Sequence, residues 1–149
     1  MLVTILDSED GDGSNLNTAL SFFQSGVSCG FPSVSDDFEE KISGLDELLI
    51  KNPSATFLAR ASGESMIERG ILDGSLLVID RSLQPIHDAT IVACIAGELT
   101  VKILDLKNNL LRPANPLHAS IPLPEDLDCV CEGVVCFCIT AQGSTVFSA

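Results

Sequence analysis

The sequence predicts a small, mainly β domain with one or two short helices, carried behind a flexible N-terminal arm. Three observations predict it. From Ala55 onward, short apolar runs rich in Val, Ile, Leu and Thr are punctuated by Gly, Pro, Asn and Asp, the pattern of strands joined by turns. Helical spacing of apolar residues is confined to residues 36–52. The first 35 residues carry Asp7, Glu9, Asp10 and Asp12 but no Lys or Arg, with Gly, Ser and Asn dense between Gly11 and Asn17. Such a stretch cannot bury enough apolar surface to fold alone.

In order, residues 1–35 form the arm, with an apolar patch from Leu20 to Phe23 and Val27 behind it. The arm is too short to hold a DNA-reading helix-turn-helix head with its own core. Residues 36–149 form the folded domain. Phe38, Ile42, Leu45, Leu48 and Leu49 recur at helical spacing, split by Gly44 and stopped by Asn52-Pro53. Thr56 to Arg60 alternates into a Ser62-Gly63 turn, and Leu76 to Asp80 is a compact apolar strand. Thr90 to Ala96 and Glu98 to Leu104 flank Ala96-Gly97, a hairpin signal. Leu110 to Arg112 is short, and Pro113-Ala-Asn-Pro116 makes a turn. Asp128 to Thr140 is the last strand pattern, and its alternation slips at Glu132-Gly133 as a bulge makes it do.

Composition narrows the function. A chain of 149 residues is one domain, and 46% hydrophobic residues without Trp or Tyr imply an aliphatic core with some Phe. The net charge is −13, from 8 basic and 21 acidic residues. Phosphate neutralisation depends on Lys and Arg, so direct duplex binding and attraction to an anionic membrane are not expected. No apolar run approaches the roughly 20 residues that span a bilayer. The N-terminus lacks a basic region and turns acidic at once, unlike a signal peptide. The chain therefore reads as cytoplasmic, with its six cysteines reduced.

Two residues stand out chemically. Ser65 follows a strand and the Ser62-Gly63 turn and precedes Met66-Ile67. A serine at the start of a short helix sits beside free amides that can hold an oxyanion, but it needs a base. His87 and His118 lie in loop stretches without an orienting acid nearby in sequence. Lys102 is the better base. Alternation places Thr100, Lys102 and Leu104 on one strand face, with Val101 and Ile103 on the other. If both faces are covered, the ammonium loses hydration, its pKa falls, and the neutral amine can take the serine proton. The residues alone leave open that Ser65 only caps a helix and Lys102 only edges a solvated face. Cys129 and Cys131, like Cys136 and Cys138, share strand faces without the turn of a chelating pair. They read as small core residues, and neither a metal nor another cofactor is expected.

Three motif blocks carry a resemblance. Ala61-Ser-Gly-Glu-Ser65-Met-Ile, Gly70-Ile-Leu-Asp73-Gly74 through Asp80, and Gly97-Glu-Leu-Thr-Val-Lys102 resemble the self-cleaving serine peptidases of the LexA and phage-repressor type. The similarity is strongest to the UmuD-like branch of that family. Cys29-Gly30-Phe31-Pro32-Ser33 and Leu48 to Thr56 belong to the match, which runs over roughly residues 28 to 140. The resemblance implies a LexA-like peptidase domain of twisted antiparallel strands. It implies Ser65 as nucleophile, Lys102 as base, and Cys29–Gly30 as the bond the chain cuts in itself. Ser62 and Gly63 are candidates for shaping an oxyanion turn. Gly30 offers no side chain to block a tight bend, and Cys29 fits a shallow pocket. The resemblance further implies a homodimer, activation by a RecA–single-stranded-DNA filament, and a cleaved form that serves a UmuC-like Y-family polymerase in SOS translesion synthesis. The first 28 residues match only in character, and the paired cysteines and the tail Ala141 to Ala149 depart from the pattern. A rival reading is an interaction subunit without catalysis, whose arm masks a polymerase- or RecA-binding surface. A signal-peptidase-like enzyme is a weaker rival, since Ile67-Glu68 stands where such enzymes tend to carry a proline.

Overall fold

The computed structural model describes residues 1–6, 20–23, 39–42 and 44–143. The strand-rich half of the sequence folds into one eight-stranded sheet, as the mainly β pattern predicts. Its strands are β1 (Leu2–Ile5), β4 (Thr56–Ser62), β5 (Leu76–Asp80), β6 (Thr90–Ile95), β7 (Glu98–Asp105), β8 (Leu110–Arg112), β9 (Ile121–Pro122) and β10 (Cys131–Ile139). The order is β1-β4-β5-β10-β6-β7-β8-β9, with every pairing antiparallel. Leu2 of β1 also pairs with Thr100 of β7, so β1 bridges β4 and β7 and closes the first six strands into a ring. Closure removes the unpaired edges that β4 and β7 would otherwise present.

The chain divides into two units. The sheet belongs to Met1–Glu9 with Asn52–Ala149, and Asp10–Lys51 forms the other. In the smaller unit β2 (Leu20–Phe23) pairs antiparallel with β3 (Glu39–Ile42), and α1 spans Leu45–Leu49. The helical spacing from Phe38 to Leu49 thus holds only for its second half. Glu39 to Ile42 is strand, because pairing with the apolar run at Leu20 overrides a weak local preference. Leu2–Ile5 also departs from a loose arm. Its Leu-Val-Thr-Ile sequence suits a strand and finds partners far along the chain.

Two apolar clusters fill the sheet unit. One gathers Val3, Ala59, Ala61, Met66, Leu77, Ile79, Val92, Val101 and Ile103, and the other Ile91, Ala93, Leu104 and Leu111. Successive residues of β7 enter different clusters, so this strand is covered on both faces. The hairpin between β6 and β7 turns at Ala96 and Gly97, with φ of 51° and 80°. A short helix, α2 (Leu127–Val130), precedes β10 where the sequence pattern continues the strand back to Asp128. The β10 register shifts between Cys131 and Gly133, the site of the predicted bulge. Gly133 has a φ of 158°, and a Cβ there would lie 2.7 Å from Ile79 Cγ2 and 3.1 Å from the Asp80 carbonyl. Among the described residues no helix is long and apolar enough to cross a membrane.

Candidate active site

Strand β4 carries the chain to Ser65, and Gly63 turns it. Gly63 has a φ of 103°, a left-handed conformation that costs a side-chain-bearing residue but not glycine. Its amide donates to Asp73 Oδ1 at 2.8 Å. Gly74 N donates to the Ala61 carbonyl and Ala61 N to the Ser75 carbonyl, each at 2.8 Å, so the loop from Asp73 to Ser75 braces the turn. A single turn of 3-10 helix, Ile67–Arg69, follows the serine. The chain between β8 and β9 clamps the other side. Ala114 N donates to the Ser65 carbonyl at 2.8 Å, and Glu68 N donates to the Ala114 carbonyl at 2.9 Å. Asn115 Nδ2 donates to the Glu64 carbonyl at 2.9 Å. Ser65 is left 2% exposed, and Met66 beside it fully buried.

Lys102 sits in the middle of β7, opposite Ile91 of β6. Its neighbours Val101 and Ile103 pack into one cluster and Leu104 into the other, and the lysine is 9% exposed. Burial strips water from the ammonium and lowers its pKa; a hydrogen bond to the Met1 amino group partly offsets that shift. Coverage of both faces is the condition under which the Lys102 ammonium holds its proton more weakly.

Met1 brings the two together. Its nitrogen donates to Ser65 Oγ at 2.8 Å and shares a hydrogen bond with Lys102. The Met1 carbonyl accepts from Val101 N at 3.0 Å, beside the lysine. Burial, then the Lys102 charge, lowers the Met1 amino pKa from 8.0 to about 6. The Ser65 hydroxyl, the Met1 amino group and the Lys102 side chain thus form one continuous, partly buried hydrogen-bonded chain. In it the Met1 nitrogen stands between Ser65 Oγ and Lys102. Met1 escapes a reading for chemistry because a strand-forming run at the head of an acidic stretch carries no catalytic pattern. Asp73 and Asn115, which brace the serine turn, read from sequence only as turn residues.

Other sequence candidates fall elsewhere. The His87 ring accepts from Leu106 N at 3.2 Å and lies 3.8 Å from Asp105. Asp80 accepts from Asn52 Nδ2 and from the amide and hydroxyl of Ser82, bonds that hold its pKa low, and Asp105 is held low chiefly by Asn108. Both are structural. Ser62 is exposed and pairs with Leu2 at the end of β4. Cys131 and Cys138 are half-buried at the edges of the clusters, but Cys136 is exposed and so departs from the core role its pattern predicts, because the β10 register shifts again between Val135 and Phe137. Cys29 and Gly30 lie outside the described residues. Among the described residues no group of His, Cys, Asp and Glu is gathered to hold a metal.

The Peptidase S24-like family model matches residues 21–136, a span that includes Ser65 and Lys102. Protein MucA of Salmonella typhimurium is 40% identical over 121 residues, which cover 79% of this chain and 80% of MucA. Protein ImpA of Shigella flexneri is 45% identical over 96 residues, 64% of this chain and 63% of ImpA. The LexA repressor of Xylella fastidiosa is 34% identical over 112 residues, 74% of this chain and 53% of the repressor.

Proposed function

The chain belongs to the Peptidase S24-like family, and from that membership we propose that it is a self-processing serine peptidase cutting its own Cys29–Gly30 bond. One observation carries the proposal: Ser65, in the turn after β4, and Lys102, in β7, are both buried and share one hydrogen-bond partner. Neutral Lys102 takes the Ser65 proton, and Oγ attacks the Cys29 carbonyl carbon. Amides of the turn opened by Gly63 receive the oxyanion. The Lys102 ammonium then protonates the departing Gly30 nitrogen, and water hydrolyses the ester left on Ser65.

The cellular role proposed is that of the UmuD-like branch. The chain works as a homodimer in the cytoplasm. A RecA–single-stranded-DNA filament promotes its cleavage by stabilising the cleavable arrangement, a shift of population and not new chemistry. The product, which keeps all eight basic residues of the chain, joins a Y-family polymerase in SOS translesion synthesis.

The test is intact-mass measurement after incubation at alkaline pH, beside Ser65→Ala and Lys102→Ala chains. A fragment beginning at Gly30, absent from both variants, is expected. A chain that stays intact even with RecA, single-stranded DNA and nucleotide overturns the peptidase reading and favours a non-catalytic interaction subunit.

A further inference from the structure

We propose that the Met1–Ile5 strand is an internal ligand of the peptidase groove, filling its leaving-group side and having to withdraw before the Cys29–Gly30 bond can meet Ser65. The proposal rests on Ser65 and Lys102 being the working dyad.

Topology defines the groove. Strand β1 alone lies between β4 and the first half of β7, with Leu2 paired to both Ser62 and Thr100. It is pinned at its two ends, by Val101 N donating to the Met1 carbonyl and by Leu6 N donating to the Leu58 carbonyl. Without β1, two strand edges would face each other across a slot one strand wide, about 4.8 Å from each wall. Ser65 stands at the end of one wall and Lys102 is built into the other. A slot of this kind binds extended peptide by strand addition.

Direction identifies which half of a substrate β1 imitates. Strand β4 runs toward Ser65, and antiparallel β1 therefore runs away from it. The main-chain nitrogen of Met1 lies beside Oγ and Lys102, and the following residues extend outward. In peptide hydrolysis the atom at that point is the departing nitrogen, and the residues beyond it belong to the leaving fragment. The slot therefore accepts an extended segment with an apolar residue third from the departing nitrogen, where Val3 is buried in the cluster with Ala59, Ala61 and Met66. The corresponding residue of the proposed substrate is Pro32. Proline has no amide N–H and suits a strand flanked on both sides poorly. Strand β1 is thus the better occupant, and the substrate enters only when something shifts the balance.

The occupant also interrupts the dyad. Ser65 Oγ and Lys102 each bond to the Met1 nitrogen, so the serine proton has no direct acceptor in the lysine while β1 is docked.

The test weakens β1 without touching the dyad. Val3→Asp puts a charge at the one buried side chain of the strand, and Leu2→Gly with Thr4→Gly loosens two exposed positions should the aspartate disturb folding. Cleavage at Cys29–Gly30 is followed by intact mass for parent and variants. Amide exchange at Val101, followed in a Ser65→Ala background, reports release of β1 without any need for activity. Cleavage about tenfold faster, the effect of shifting the docking equilibrium by one decade, together with faster exchange at Val101, is the expected result. A parent that cleaves, and variants that release Val101 yet cleave no faster, overturn the internal-ligand proposal alone. If neither parent nor variants cleave even with the filament, the dyad reading fails and the proposal falls with it.

Discussion

In the proposed mechanism Lys102 has to be lysine and has to be dry. Its pKa is lowered by burial, so between that lowered value and the 10.5 of an unhindered lysine the unfolded chain binds more protons than the folded one. Folding stability contributed by this group therefore rises with pH through that window and is absent below it. The Met1 amino group acts in the same sense between about 6 and 8.0. Self-cleavage should accelerate over the Lys102 window, and a rate flat from neutral to strongly alkaline pH would remove the lysine as titrating base. Lys102→Met should abolish cleavage, a loss of at least about 100-fold for a general base. It should also flatten the alkaline rise in stability seen by urea denaturation at several pH values. Asn115 tests the brace. It is 4% exposed and ties Glu64 to Leu117, so Asn115→Ala should cost about 1–3 kcal/mol by leaving buried groups unpaired, and should slow cleavage measurably by freeing the serine turn. Ser65 and Lys102 stand out in the sequence because a serine after a Gly turn and a lysine inside an apolar alternation are local patterns. Asn115 does not, since its importance lies in a contact with Glu64 that no spacing announces.

At the scale of elements, the bulge in β10 is the place to probe. Gly133 holds a φ of 158° with Ile79 and the Asp80 carbonyl crowding the position a side chain would take. Gly133→Ala should destabilise the protein by about 1–3 kcal/mol through strain and overpacking, read as a lower denaturation midpoint with an unchanged slope. Strands whose pattern is local were legible. Leu76–Asp80 and Leu110–Arg112 fall where their apolar runs place them, and the Glu132-Gly133 slip marks a real register shift. Elements that depend on distant partners were not. Phe38 to Ile42 has apolar spacing suited to a helix, and only pairing with Leu20 to Phe23 makes its second part a strand. Val130 is apolar and followed directly by strand, which conceals the helical turn at Leu127–Val130.

For the molecule as a whole, stability should be most sensitive to acid through two aspartates. Asp80 and Asp105 are buried, hydrogen-bonded and held below the 3.8 of a free aspartate. Their contribution is present above that value and is lost as pH falls through their lowered pKa values. Thermal unfolding followed from pH 7 to pH 2 should show the midpoint dropping mainly below about pH 4, and Asp80→Asn should make the drop shallower. The fold class was legible because strand patterns dominate from Ala55 onward. Closure of the ring was not. It depends on Leu2 meeting Thr100, a pairing between residues far apart in the sequence.

That pairing also orders events in time. A chain emerging from the ribosome presents β1 first, then β4 and Ser65, and only much later β7. Until Thr100 has been made, β1 has one wall and not two. The residue that supplies the second wall precedes Lys102 by two residues in the same strand. The growing chain therefore never brings Ser65 and Lys102 together before the strand that covers them has somewhere to lie. Both then wait for β10, which joins β5 to β6 and brings the two walls into one sheet.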